Sequence, residues 1–140
     1  HMPLKAYKNM NAYKLFVLDV GLLGAMSELP AESILEGNDI FVEFKGALTE
    51  QYVLQQLISD TPYTPYYYGN EKATFEQDFL IQKAKSIVPI EVKAEQNIRS
   101  HSLKTYCEKF QPEEAVRFST LKYKEQERMV NIPLYAVCNL

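Results

Sequence analysis

Two apolar runs separated by a short polar stretch form the clearest pattern in the sequence. In the first run, Phe75, Phe79 and Ile81 alternate with Glu76, Asp78 and Leu80, which is the period-two pattern of a β-strand. The second run, residues 87–92, is rich in β-branched side chains. Residues 83–86 lie between the two runs and have a length suited to a hairpin loop. The pattern therefore predicts two antiparallel strands joined by a short turn.

The charged residues of this predicted hairpin fall on one face. If the loop is centred on residues 83–86, Asp78 faces Glu91 and Glu76 faces Lys93. Residues two apart in a strand share a face, so all four side chains are neighbours. Two carboxylates directly opposite each other repel, and such pairs are normally avoided in a sheet. A lysine beside them and a metal ion between them would remove the repulsion, so the hairpin predicts a cation site.

The chain before the hairpin reads mainly as helix and loop. The apolar run Ala12–Asp19 is compatible with either a strand or a buried helical entry. Gly21 and Gly24 favour a tight turn into a short helix, and residues 29–39 favour a loop with a short helical turn. A short strand is expected over Tyr66–Tyr68.

The longest predicted helix covers Phe41–Ser59. Its apolar stripe is formed by Ala47, Leu54, Leu57 and Ile58, with Val53 at the edge. Glu50 lies on the same stripe, four residues before Leu54. A carboxylate that faces a core is costly unless something pairs with it. Two interpretations stay open: Glu50 belongs to a functional site, or it bends out to solvent at the margin of the stripe.

The chain after the hairpin predicts one helix and two strands. The helix is indicated by an apolar face formed by Leu103, Tyr106, Cys107 and Phe110. The strands are expected over Ala115–Thr120 and over Ile132–Val137, the latter entered through Pro133, with a charged connector over Lys122–Arg128.

Length and composition are those of one globular domain. The chain has 140 residues, 46% of them apolar, which is enough to bury a core. His1-Met2 is typical of the residues left after removal of a purification tag, so we assign residues 3–140 to a single domain and expect it to be the C-terminal piece of a longer protein. No apolar run approaches the ~18 residues of a membrane span. Cys107 and Cys138 have no CxxC partner and indicate reduced thiols in a cytoplasmic protein.

The charges are spread unevenly along the chain. The net charge of −3 argues against nucleic-acid binding over the whole surface, but residues 83–109 carry six basic and three acidic side chains. Lys83, Lys85, Arg99 and Lys104 in this segment are candidates for contacting a nucleic acid held over the cation site. The alternative is a solvated basic face without a ligand.

The order of elements and acids resembles the PD-(D/E)xK nuclease superfamily. The matching positions are Glu50 on the first long helix, Asp78 on the second strand, and Glu91-Val92-Lys93 on the third. The chain is also similar to the uncharacterised domain that lies C-terminal to the ATPase module in many bacterial AAA-type ATPases. That similarity rests on the stretches KLFVLDVGLL, GALTEQYVLQQL, EQDFLIQ, PIEVKAEQNIRSHSL and IPLYA. The chain departs from the pattern in having Gln77 where proline precedes the aspartate, and in lacking tryptophan.

The resemblance implies a fold and a chemistry. The fold would be α/β of the α+β kind, with a restriction-endonuclease-like αβββαβ core and a mixed sheet flanked by helices. Mg²⁺ or Mn²⁺ would be held by Asp78, Glu91 and the Val92 carbonyl, with Glu50 bound directly or through water. Lys93 would orient the attacking water and stabilise charge on the phosphoryl group. The expected activity is hydrolysis of phosphodiester bonds in nucleic acid, in a chain fused to an ATPase.

A module without catalytic activity is the alternative. It would contact nucleic acid or a protein partner of an AAA-type ATPase, and its acids would form a salt-bridge network in which Lys93 pairs with Glu76 or Glu91. The complete set of acids favours the enzyme, whereas the acidic net charge favours the binding module. Oligomerisation through the tyrosine strand is compatible with either interpretation.

Overall fold

The described residues form a six-stranded mixed sheet with helices against it, which confirms the predicted α+β class. The computed structural model describes residues 1–36, 39–69, 75–94 and 101–140. The strands run over Tyr66–Tyr68 (β1), Gln77–Lys83 (β2), Ser86–Lys93 (β3), Ala115–Ser119 (β4), Lys124–Gln126 (β5) and Met129–Pro133 (β6). The helices run over Val20–Met26 (α1), Ala31–Glu36 (α2), Asp39–Asp60 (α3) and His101–Phe110 (α4), with 3₁₀ turns at Leu4–Tyr7 and Leu134–Asn139.

The strand order across the sheet is β1-β2-β3-β4-β6-β5. The pairs β1–β2, β2–β3 and β5–β6 are antiparallel, while β4 lies parallel to both β3 and β6. Parallel neighbours need a crossover connection, and α4 lies in the connection between β3 and β4. The sequence α3, β1, β2, β3, α4, β4 follows the predicted order of helix, three strands, helix and strand.

Apolar side chains are buried on both faces of the central strands. The larger core cluster contains Val53, Leu57, Phe79, Ile81, Val88, Ile90, Val116 and Phe118. A smaller cluster joins Phe75 and Leu80 to Tyr106 of α4.

The segment before α1 is neither a strand nor a helix, contrary to the two expectations for Ala12–Asp19. We call residues 12–19 the N-terminal strap, because they have no regular secondary structure and are tied to α3 by hydrogen bonds. The Gln51 side chain accepts a hydrogen bond from the Val17 amide at 3.1 Å and donates one to the Val17 carbonyl at 2.9 Å. Gln55 accepts from the Val20 amide at 3.2 Å. Glutamine side chains thus take the place of the neighbouring strand that the backbone would otherwise need.

The buried stripe of α3 differs from the predicted stripe. Val53 and Leu57 are fully buried, whereas Ile58 is 63% exposed. Gln51 is also buried, because it holds the strap, and a polar residue in this role carries no apolar signal in the sequence. Among the described helices, none is both long and apolar enough to cross a membrane.

The C-terminal strands also differ from the prediction. The expected connector Lys122–Arg128 contains β5, whose three exposed polar residues pair only with β6 at the edge of the sheet. The expected last strand, Ile132–Val137, begins earlier, because β6 pairs with β4 from Met129 onward. Residues 134–139 form a 3₁₀ turn instead.

Truncating Gln51 should destabilise the fold. Gln51→Ala leaves the amide and carbonyl of Val17 without their partner beside a packed helix, and one such buried loss costs about 1–3 kcal/mol. Urea unfolding measures the free energy of unfolding. The control is Gln56→Ala, which removes a half-buried glutamine side chain from the same helix without touching Val17. Equal losses in the two variants would contradict the role assigned to Gln51.

Candidate acidic site at the β2–β3 hairpin

The hairpin register is the one predicted from the sequence. Phe79 pairs with Ile90 and Lys83 with Ser86, as in the predicted register, and Asp78 and Glu91 are the next residues beyond the Phe79–Ile90 pair. The Val92 amide donates a hydrogen bond to Asp78 Oδ2 at 2.8 Å, which ties the aspartate to the neighbouring strand. The connection is tighter than expected, with two residues between the strands. Ala84 there has a left-handed φ of 54°.

Glu91 is buried, and both of its carboxylate oxygens have donors. The residue is 3% exposed. Lys93 Nζ lies 2.8 Å from Oε1, and the Leu103 amide donates to Oε2 at 3.2 Å. Leu103 lies in the first turn of α4, where backbone amides have no partner within the helix and a negative charge is favoured. The carboxylate therefore joins β3 to the start of α4.

Arg117 lies beside Glu91 on the neighbouring strand. The parallel register of β3 and β4 places the two residues side by side, and Arg117 is 4% exposed. Its Nε donates to Asn131 Oδ1 at 3.0 Å. Burial lowers the pKa of Arg117, and the negative charge of Glu91 opposes that shift. Alternation along AVRFST puts Arg117 on the opposite face from Val116 and Phe118. This pattern is the signal in the sequence that separates Arg117 from its apolar neighbours.

Glu50 is paired with a residue that the sequence did not suggest. Lys14 Nζ of the N-terminal strap lies 2.7 Å from Glu50 Oε1, and the Glu50 side chain is 25% exposed. The same ammonium group lies 5.8 Å from the centre of the Tyr67 ring. Lys14 and Glu50 are 36 positions apart, so no helical or strand periodicity relates them.

Asp78 has no ion pair within the described part of the chain, and its charge is disfavoured. Its pKa is raised from 3.8 to about 6, and burial is the largest cause. The Val92 hydrogen bond and Lys14 act in the opposite direction, while the negative charges of Glu50 and Glu91 also raise the pKa. Asp78 is thus the acid of the three that would gain most from an additional positive charge.

The donor types suit a hard divalent cation, but lysines hold two of the three carboxylates. Carboxylates and a backbone carbonyl are typical ligands of Mg²⁺ and Mn²⁺. In the described residues, no group of three or more His, Cys, Asp or Glu side chains is arranged to hold a metal ion. A divalent ion bound by all three acids would have to displace Lys14 from Glu50.

The basic residues predicted to contact nucleic acid have different surroundings. Lys83 pairs with Glu114 at 3.2 Å, and Lys104 pairs with Glu108 at 3.8 Å. Lys85 is exposed in the hairpin loop. Arg99 lies outside the described residues. These four positions do not identify a continuous basic surface.

The comparisons with known proteins identify the family of this α+β domain. A family model described as "Domain of unknown function (DUF4143)" matches residues 45–137, about two thirds of the chain, and the chain belongs to this family. No curated protein and no solved structure matches the chain. The matched region contains Glu50, Asp78, Glu91 and Lys93, whereas Lys14 lies outside it.

The raised pKa of Asp78 predicts a pH dependence of stability. Because the pKa in the folded chain, about 6, lies above the ordinary 3.8, the folded state binds this proton more tightly than the unfolded state. The resulting stability is fully present below pH ~4 and is lost as the pH rises through ~6, by at most ~3 kcal/mol. Asp78→Asn keeps an acceptor for the Val92 amide and removes the ionisation.

Urea unfolding at about pH 4.5 and at pH ~7 tests this linkage. We expect Asp78→Asn to gain stability relative to the unmodified chain at the higher pH. Glu108→Gln on the exposed face of α4 is the control and should show no such gain. If the difference between Asp78→Asn and the unmodified chain is the same at both pH values, Asp78 has an ordinary pKa.

Proposed function

We propose that this domain is a nuclease-like hydrolase of phosphodiester bonds in nucleic acid that acts with Mg²⁺ or Mn²⁺ and works with an ATPase module. The observation that carries the proposal is the position of Asp78. It accepts a hydrogen bond from the Val92 amide, between Glu91 and Lys93 in the sequence, and the charges of Glu50 and Glu91 both raise its pKa. Three acids and one lysine are the groups that such a reaction requires.

Each residue has a distinct proposed role. Asp78, Glu91 and the Val92 carbonyl would hold the ion, with Glu50 bound directly or through water. When bound, the ion supplies Lewis-acid polarisation of the phosphoryl oxygens. Glu91 is fixed in place by the Leu103 amide, so its orientation is set before substrate arrives.

Lys93 is proposed to act as a positive charge. Its ammonium group lies 2.8 Å from Glu91 Oε1, at the edge of the acidic site. A protonated lysine has no lone pair for a metal ion, so it does not compete as a ligand. It would orient the attacking water and stabilise the negative charge that develops on the phosphoryl oxygens.

The ATPase part of the proposal rests on the family. The family is found in AAA-ATPase-associated proteins, in agreement with the similarity of the matching stretches. The free thiols of Cys107 and Cys138 support a reducing, cytoplasmic location.

A metal ion should stabilise the fold, because it binds the folded acids more tightly than the scattered acids of the unfolded chain. At 100-fold above the dissociation constant the gain is about 2.7 kcal/mol. Melting temperatures with increasing Mg²⁺ or Mn²⁺ measure it. Asp78→Ala should abolish the response and raise stability in EDTA, while Glu108→Gln should retain the response. An unchanged melting temperature of the unmodified chain would count against a metal site.

Lys93→Met tests the catalytic role. Methionine keeps most of the packing of the stem and removes the charge. Cleavage of plasmid and single-stranded substrates should fall about 10²-fold or more, the scale seen when one electrostatic donor is removed. Lys122→Met removes an exposed lysine outside the acidic site and should leave cleavage unchanged. Undiminished cleavage by Lys93→Met would indicate a contaminating nuclease or another active site.

A non-catalytic binding module is the second candidate, and the ion pairs favour it. Lys93 with Glu91 and Lys14 with Glu50 compensate two buried or half-buried acids without a metal ion. If the domain is a binding module, neither the unmodified chain nor Lys93→Met cleaves nucleic acid. Mg²⁺ then leaves the melting temperatures of both proteins unchanged. Lys93→Met still loses stability, since it leaves Glu91 with less compensation. If the domain is a nuclease, Mg²⁺ should restore the stability that Lys93→Met has lost. The Lys93 ammonium group then no longer competes with the ion for Glu91.

A further inference from the structure

A large groove opens next to the acidic site. It has a volume of about 1690 Å³ and is lined by the N-terminal residues, by the segment around β1, by the hairpin loop and by the end of α4. Small-molecule sites usually measure about 300–1,000 Å³. The size therefore favours an extended ligand over a compact one.

The charges in the groove are strongly biased. Five lysines line it: Lys5, Lys8, Lys14, Lys85 and Lys109. Among the described residues that line it, Glu113 is the one carboxylate. The chain as a whole has a net charge of −3, so this groove is a local exception. Its charge is complementary to that of a polyanion.

Aromatic rings alternate with these lysines. Seven tyrosines line the groove: Tyr7, Tyr13, Tyr63, Tyr66, Tyr67, Tyr68 and Tyr106. Tyr13 is 72% exposed, so its ring is open to a ligand. Lys109 Nζ lies 5.2 Å from the centre of the Phe110 ring, so charge and ring are neighbours at the α4 end as well. A basic groove with accessible rings is the arrangement by which proteins bind unpaired nucleotides.

Lys14 connects the groove to the acidic site. It lines the groove, lies over the Tyr67 ring and contacts Glu50 at 2.7 Å. A phosphate bound by Lys14 would compete with Glu50 for the same ammonium group. Occupation of the groove would thereby release the Glu50 carboxylate.

From these observations we infer that the groove binds single-stranded nucleic acid, with lysines on the phosphates and tyrosines stacked on the bases. Base faces in a duplex are already stacked on one another, so the rings select for an unpaired strand. The inference rests on the proposed function in one respect, which is that the bound strand is the substrate of the nuclease. The strand would then pass from the groove over Lys14 to the acidic site.

Binding is measured in EDTA, so that cleavage plays no part. Fluorescence anisotropy with a labelled oligonucleotide of about 16 nucleotides compares the single strand with its duplex. We expect the single strand to bind at least ~10-fold more tightly, with affinity falling as salt rises. Equal or tighter binding of the duplex would overturn the inference. Binding of poly-glutamate or anionic lipid vesicles in preference to the oligonucleotide would also overturn it.

Matched charge variants locate the contact. The groove variant combines Lys5→Gln, Lys8→Gln and Lys109→Gln. The control combines Lys122→Gln, Lys124→Gln and Arg128→Gln, which lie outside the groove lining and give the same net charge. Loss of three phosphate contacts should reduce the slope of log affinity against log salt by about 2. Similar slopes in the two variants would overturn the inference.

A second pair of variants tests stacking. Tyr13→Ala should weaken single-strand binding about 10-fold, and Tyr135→Ala, which removes a ring that is 81% exposed outside the groove, should not. Equal effects of the two variants would exclude stacking in the groove. A chain that binds single strands through the groove but cleaves none would contradict the nuclease proposal and leave this inference standing. Cleavage with a KM that the groove variants leave unchanged would contradict this inference and leave the nuclease proposal standing.

Discussion

The buried carboxylate of Glu91 must be compensated, and the structure around it depends on how this is done. Its two oxygens take the Leu103 amide and the Lys93 ammonium group, while Arg117 lies beside it on β4. The first contact fixes the start of α4 against β3. The second holds Lys93 at the edge of the acidic site. One charge thus sets the relative positions of a strand, a helix and the lysine on which the proposed chemistry depends.

Both candidate functions require positive charge to compensate the same three acids, Glu50, Asp78 and Glu91. Burial disfavours the ionisation of Asp78, while Glu50 and Glu91 have lysine partners. A metal ion would add positive charge where Asp78 lacks it and would compete with Lys14 at Glu50. Without a metal ion, Lys14 and Lys93 alone compensate the negative charge of the acids. The difference between the candidates is therefore which cation the acids hold when nucleic acid is present.

Local patterns predicted the hairpin well because its partners are close in sequence. Strand alternation predicted the register that pairs Phe79 with Ile90, next to Asp78 and Glu91. Lys14 could not be predicted, since its contact with Glu50 depends on the path of an irregular strap held by glutamines. The sequence did not predict β5, because its three residues are polar and exposed. The boundary of β6 follows from its parallel pairing with β4. Both depend on tertiary contacts that periodicity does not record.

The mixed sheet has a consequence for the order of folding. The β2–β3 pair closes a two-residue turn, whereas the parallel β3–β4 pair joins residues such as Ile90 and Val116 across the whole crossover. Closing that longer loop costs more chain entropy, so we expect the hairpin to form first. Glu91 would then remain hydrated until α4 docks and supplies the Leu103 amide. Dehydration of this carboxylate would belong to a late step of folding.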